Sequence, residues 1–205
     1  MVSKPRIKSV FDTNFSSSIE NDIFYNMNIL GTEDGICLKD VTLDSSIFTN
    51  VNFTNYDITN VDLVDCIFNN CDLSNIDFSN RLIKRVEFNN CKLMGTLFNN
   101  TNFTDIYIKD SILKYASFNS SCVKNVDFIS CDIEEASFME LNFKDVAFEY
   151  CNLKKCDFYK TSLKDIDLST SDIEGIRIDV RDLKGSTINS YEAIIVASMI
   201  GINVK

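Results

Sequence analysis

A large apolar residue stands at every fifth position of this chain from Leu38 to Ile178, without one slip. The stretch from 61 to 80, VDLVDCIFNNCDLSNIDFSN, shows the unit. A small or apolar residue comes first, a Leu or Phe third, and the rest is mostly polar. No single helix face has this period, because a helix repeats at three and four, and no strand face has it, because a strand repeats at two. A period of five becomes one side of a coil if the chain turns a corner every five residues. Four sides then close a square, and successive squares stack through backbone hydrogen bonds at strand spacing, about 4.8 Å.

The columns of such a stack support four sides independently. Phe48, Phe68, Phe88, Ile108, Phe128 and Phe148 form one column, and Ile58, Phe78, Phe98, Phe118, Phe138 and Phe158 another. The column between them, Phe53, Leu73, Leu93, Leu113, Ile133 and Leu153, is mostly Leu and Ile. Bulk therefore alternates around the square, as filling a narrow core requires. The position two before each large residue is small: Cys66, Cys71, Thr96, Ser111 and Ala116 are examples. The expected fold is an all-β solenoid, a quadrilateral β-helix of about seven to eight coils and roughly 35 Å in length, with a short C-terminal α-helix.

The ends of a solenoid must be capped. Residues 1–35 read as an irregular N-terminal cap or partial first coil, in which Ile19, Phe24 and Ile29 keep the spacing of five in another register. Gly31 and Gly35 mark the turn that absorbs the slip. Residues 36–188 read as the repeat body and 189–205 as a capping or dimerisation helix with its tail. In NSYEAIIVASMIGINVK the residues Tyr191, Ile194, Ile195, Ser198, Met199 and Ile202 fall at helical spacing. Ser190 is the expected N-cap and Gly201 the residue after the C-cap. This apolar row either folds over the last coil or pairs with a second copy across a two-fold axis.

Composition narrows the chemistry. The chain has 205 residues, no His and a formal charge of −10. Without His the commonest general base and metal ligand is missing, which argues against an enzyme, a metal site or any cofactor. An acidic chain lacks the basic stripe of a nucleic-acid binder, so no direct binding of DNA or RNA is expected. The N-terminus has no apolar signal segment and no apolar run is long enough to span a membrane, so a cytoplasmic location with reduced thiols is expected. Six of the eight Cys, among them Cys66, Cys71, Cys91 and Cys156, occupy the small inward position as buried spacers; Cys37 and Cys122 are the more exposed. Paired carboxylates such as Asp57/Asp62 and Glu134/Glu135 recur with the repeat and converge on no cleft.

The outward columns carry the charge. Lys84, Lys124, Lys144 and Lys164 share one, beside Asp65, Arg85, Asp105, Asp145 and Asp165. That face reads as surface ion pairs of about 0–1 kcal/mol each. Three interrupted acidic columns are the partner-binding candidates: Asp57, Asp77 and Asp157; Asp72, Asp132 and Asp172; Glu87, Asp127 and Asp167.

The five-residue pattern over residues 36–188 resembles the pentapeptide-repeat family, whose members fold as right-handed quadrilateral β-helices. The ending, DLKGSTINSYEAIIVASMIGINV, is similar to that of the Qnr quinolone-resistance proteins and the mycobacterial MfpA type. Asp182, Leu183, Gly185, Tyr191, Ala193, Ile200 and Gly201 carry the likeness. The resemblance implies a homodimer joined through the C-terminal helices, a bacterial protein, and DNA mimicry toward DNA gyrase or topoisomerase IV. The unbroken register leaves no room for the projecting loops of many Qnr proteins, so the MfpA type is the nearer analogue. The alternative is a structural or interaction scaffold with a different, unidentified partner.

Overall fold

Backbone register decides the architecture. In the computed structural model Leu63 pairs with Leu43 on one side and Ile83 on the other, and Phe68 pairs with Phe48 and Phe88, all in parallel. Each partner lies twenty residues away, which is one coil. The other two sides keep the same offset through single bridges, Asn52 to Asp72 to Lys92 on one and Asp77 to Leu97 to Ser117 on the other. The chain is thus a four-sided β-solenoid of about seven turns with one short C-terminal helix. The structure describes residues 2–15, 19–20 and 22–204. The side chain of Ile19 lies outside the described set.

Cys37–Lys39 and Asp57–Thr59 pair on a third side, but from Leu82 onward regular strand is confined to two adjacent sides. Leu82–Asn89, Asn102–Lys109 and Cys122–Ile129 each cover both sides and the corner between them. The corners rest on left-handed backbone two residues after each inward centre. Asn50, Asn60, Asn70, Asn80, Asn90 and Asn100 have φ between 52° and 62°. Asn tolerates this region better than most residues, whereas Arg85, Tyr115 and Tyr150 adopt it at a cost of about 1 kcal/mol or more. Stacked corner amides offset part of that cost. Asn90 Nδ2 donates to Asn70 Oδ1 at 2.8 Å, and Asn70 Nδ2 to Asn50 Oδ1 at 3.2 Å.

The core is a set of ring columns. Phe48, Phe68 and Phe88 stack at 4.9 and 5.1 Å. Phe98, Phe118, Phe138 and Phe158 stack at 5.0, 4.9 and 5.2 Å. Small residues at the inward position leave room for these rings and close backbone gaps. Thr96 Oγ1 donates to Leu73 O at 2.9 Å, and Cys156 Sγ to Ile133 O at 3.0 Å. Phe143 departs from the expected inward set. It is only half-buried, and the strand of its coil starts late, at Lys144.

The first coil is one residue short. Phe24 pairs with Leu43 and Ile29 with Phe48, an offset of nineteen. The connection through Gly31 and Gly35, at φ 80° and 71°, restores the offset of twenty from Cys37 onward. Phe15 closes this end, its ring 5.8 Å from Phe24 and 5.5 Å from Tyr56. At the other end a 3₁₀ turn, Val180–Leu183, leads to the helix Ser190–Met199. The N-cap is Asn189 and not Ser190: its side chain accepts from the N–H groups of Tyr191 and Glu192. Asn189 also donates to Ser169 O at 2.9 Å, tying the cap to the preceding coil, which a Ser at 190 does not do. Among the described residues no helix is long and apolar enough to cross a membrane.

Candidate functional site

Among the described residues no group of three or more Cys, Asp or Glu side chains is placed to hold a metal ion. All eight thiols are free. Burial pushes the Cys66 and Cys156 thiols up to about 12, so neither forms a thiolate at neutral pH. Cys37 and Cys122 are exposed.

The outward columns carry charge, and the three acidic columns differ in how much of it is paired. In the first column Asp57 is paired with Lys39 at 2.8 Å and Asp157 with Arg177 at 3.0 Å, while Asp77 is exposed and accepts only the Ser79 N–H. In the second, every member has a lysine. Lys92 lies 3.6 Å from Asp72, Lys114 3.1 Å from Asp132 and Lys154 3.0 Å from Asp172. In the third, Glu87, Asp127 and Asp167 pair with no Lys or Arg side chain among the described residues. Burial raises the Asp127 carboxyl, the positive charge of the chain's amino terminus opposes the rise, and repulsion by Glu149 adds to it. The Ser169 hydroxyl and N–H hold the Asp167 carboxyl below its ordinary value. The third column and Asp77 are therefore the acidic surface that a cationic partner meets without first displacing a Lys or Arg side chain of the described residues.

The neighbouring corner is built differently from the exposed ion pairs that its charge pattern suggests. Asp65 and Arg85 are only 8% and 11% exposed at their side chains. Arg85 donates from Nε to Asp65 Oδ1 at 2.6 Å, and its Nη2 lies 2.5 Å from Oδ2. The cover is the N-terminal segment, which runs along the rod across successive coils. The Ser3 N–H points to Asp105 Oδ1 at 3.4 Å, the Arg6 N–H donates to Asp65 Oδ1 at 2.8 Å, and Phe11 joins the first coil beside Met27. Ile7 and Val10 are half-buried beneath the strap, while Lys4, Arg6 and Lys8 face outward. The signal for this strap is the alternation of basic and apolar residues in KPRIK, beside an acidic corner column.

The C-terminal helix turns its apolar row to solvent. Tyr191 is 67% exposed, Ile194 46% and Ile202 52%; Ser198 and Met199 are also exposed and Ile195 is half-buried. Its one buried residue is Glu192, whose Oε2 has no hydrogen-bond partner.

Sequence comparison agrees with this geometry. The profile described as "Pentapeptide repeat region" matches residues 41–118 and 81–155, and that of "Pentapeptide repeats (8 copies)" matches 136–175. Nothing among curated protein sequences matches the chain. Solved structures similar to it include QnrB1, a plasmid-mediated fluoroquinolone resistance protein, at 22% identity over 89% of this chain and 90% of that one, with a TM-score of 0.49. HetL, a pentapeptide repeat protein involved in heterocyst differentiation regulation in the cyanobacterium Nostoc sp. strain PCC 7120, is 16% identical over 84% and 90%, with a TM-score of 0.43. A pentapeptide repeat protein of the Arabidopsis thaliana thylakoid lumen is 25% identical over 48% and 66%, at 0.38. A register of twenty held around four sides, ring columns inside and two matching profiles place this chain in the pentapeptide-repeat family.

Proposed function

We propose that this protein acts without catalysis, by presenting a DNA-like acidic rod to the DNA-binding surface of a type II topoisomerase, DNA gyrase or topoisomerase IV. It thereby modulates quinolone susceptibility. The observation that carries the reading is the column Glu87, Asp127 and Asp167, with Asp77: carboxylates that pair with no Lys or Arg among the described residues, on a rod with a formal charge of −10. A basic saddle built for duplex phosphates gains Coulomb energy from such a surface without displacing those side chains. The likeness of the C-terminal segment to Qnr and MfpA-type proteins points to the same class of partner.

The exposed row Tyr191, Ile194, Ile195, Ser198, Met199 and Ile202 pairs two rods end to end, so that the acidic surface doubles in length. Supercoiling and cleavage-complex assays with purified gyrase, with and without a fluoroquinolone, test the reading. Inhibition or protection at micromolar protein supports it. No effect on either reaction returns the protein to a scaffold with a different partner. The lysines that already neutralise Asp57, Asp72, Asp132 and Asp172 favour that second reading.

A further inference from the structure

Among the described residues the ladder that joins successive coils lapses above Asp57–Thr59, which pairs only with Cys37–Lys39, and again, farther along the rod, above Lys144–Glu149. In the lower rod the Asp65 N–H donates to Lys84 O at 3.0 Å, the Glu87 N–H to Cys66 O at 2.9 Å and the Asn70 N–H to Asn89 O at 2.9 Å. One coil above the second lapse the ladder resumes, with the Leu163 N–H bonded to Asp182 O at 2.8 Å and the Leu168 N–H to Thr187 O at 2.7 Å. Between Phe143–Phe148 and Leu163–Leu168, among the described residues, there is no backbone pairing, and the strand Lys144–Glu149 has a partner on one side only. The opposite two sides stay closed: the Leu153 N–H reaches Asp172 O at 2.8 Å and the Phe158 N–H reaches Arg177 O at 2.8 Å. The rod therefore gapes on one edge and is hinged on the other.

The sequence gives a reason. Phe138, Phe143 and Phe148 are the only three consecutive inward positions filled by Phe, and Leu141 takes the small position between the first two. The three rings, 5.8 to 6.0 Å from one another, together with Leu141 give this coil more side-chain volume than the coils on either side of it. Phe143 is only half-buried, and the wall beside it carries no ladder. The result is a cleft of about 470 Å³ bordered by Asp127, Phe143, Asp145, Val146, Lys164 and Asp165.

By the alternation seen in the other coils, the N–H groups of Asp145 and Phe148 and the carbonyl of Val146 face this gap from one lip. The carbonyl of Lys164 and the N–H of Asp167 face it from the other. Backbone groups so placed need a partner of their own kind. We propose that the seam is a strand-accepting site, which takes an extended segment of a partner protein, about five residues long and carrying a basic side chain. The extended backbone supplies the missing ladder to both lips. Asp127 and Asp145, neither of which pairs with a Lys or Arg among the described residues, favour the basic side chain; of the two lysines that also border the cleft, Lys164 is turned to Asp165 at 3.9 Å and Lys144 is exposed. The site is independent of any topoisomerase.

Amide hydrogen exchange on the free protein comes first. Asp145 and Phe148 are expected to exchange at least tenfold faster than Asp65 and Leu168. The peptide acetyl-Val-Lys-Val-Arg-Val-amide is then titrated and followed by amide shifts. Shifts centred on Asp145, Val146, Phe148 and Asp167, with slowed exchange there, support the proposal. The same peptide N-methylated at alternate amides should bind at least tenfold more weakly, and Asp127→Asn should weaken the unmodified peptide severalfold. Phe143→Leu reduces the side-chain volume of this coil, so it should close the seam and abolish binding. Full protection of Asp145 and Phe148 in the free protein overturns the proposal, as does equal binding of the N-methylated peptide. Protection that grows with protein concentration overturns it too, because a second copy then fills the gap.

Discussion

Asp65 and Arg85 stand one coil apart and meet through two parallel contacts, Nε to Oδ1 at 2.6 Å and Nη2 to Oδ2 at 2.5 Å, under the backbone of Arg6. Burial alone would raise the Asp65 carboxyl, but the Arg85 and Arg6 hydrogen bonds outweigh it and hold the group below its ordinary 3.8. A depressed carboxyl contributes stability above 3.8 that is lost as pH falls through the lower folded value. Asp65→Asn should therefore cost about 2 kcal/mol at neutral pH, somewhat less than orphaning a fully buried charge. It should also shrink the loss of stability as pH falls below 3.8. Urea titrations of both proteins at pH 7, 4 and 2 check this; equal slopes with pH would remove Asp65 from the account.

Core rings should differ in worth according to their column. Phe118 is fully buried between Phe98 and Phe138, at 5.0 and 4.9 Å. Phe118→Ala should cost about 3–5 kcal/mol by opening a cavity in a stack that cannot collapse. Phe143→Ala removes a half-buried ring from a coil with more side-chain volume than its neighbours and should cost less than about half as much. Chemical denaturation of the two variants side by side gives the ratio.

Thiol chemistry should split two to six. Cys37 and Cys122 are exposed, while Cys66, Cys71, Cys91, Cys131, Cys151 and Cys156 are buried. A thiol-reactive dye under native conditions should label Cys37 and Cys122 and spare the rest; in denaturant it should reach all eight. Mass mapping of the labelled sites decides the matter, and native labelling of Cys66 would contradict a closed wall.

Glu192 should make docking of the C-terminal helix pH-dependent. Burial raises its carboxyl, the negative charges of Asp172 and Glu174 add to that rise, and Oε2 has no partner. A raised carboxyl favours the protonated form when docked, so docking weakens as pH climbs above 4.5 through the folded value. Protection factors of the Ala193–Ala197 amides should be higher at pH 5 than at pH 8, and Glu192→Gln should flatten the difference.

Charge reversal tests the acidic column. Glu87, Asp127 and Asp167→Lys together move the formal charge from −10 to −4, because each change adds two units. If these carboxylates meet a basic saddle, gyrase inhibition should fall at least tenfold with an unchanged circular dichroism spectrum. Triple reversal at Asp72, Asp132 and Asp172, which already hold lysines, should matter less.

Much of the fold was legible because one number controls it. A period of five with four-column alternation implies four sides, and Leu63, Phe68, Leu73 and Phe78 do face one core. A second signal lay unused in the sequence: Asn at 50, 60, 70, 80, 90 and 100 marks the left-handed corners. The seam was not legible, because each of Phe138, Phe143 and Phe148 obeys the pattern and only their sum sets this coil apart from its neighbours. The strap was hidden for another reason. Residues 2–10 have no period of their own and take their path from the Asp65–Arg85–Asp105 corner, which exists only once the coils are stacked. The same stacking turned an ordinary surface pair, Asp65 and Arg85, into a covered one.

The uniform offset of twenty residues makes the rod a ruler. From Cys37 onward each residue lies over its counterpart one coil earlier, so excising residues 102–121 would seat Val123 where Phe103 was and leave every column in line. The rod would shorten by one division, about 4.8 Å, with the same cross-section. Excising five residues would instead rotate everything beyond the cut by a quarter turn and set the lysine column over a different face. Length can thus change in whole coils without redesign of the core, and the distance between the N-terminal strap and the C-terminal helix is quantised by the same step.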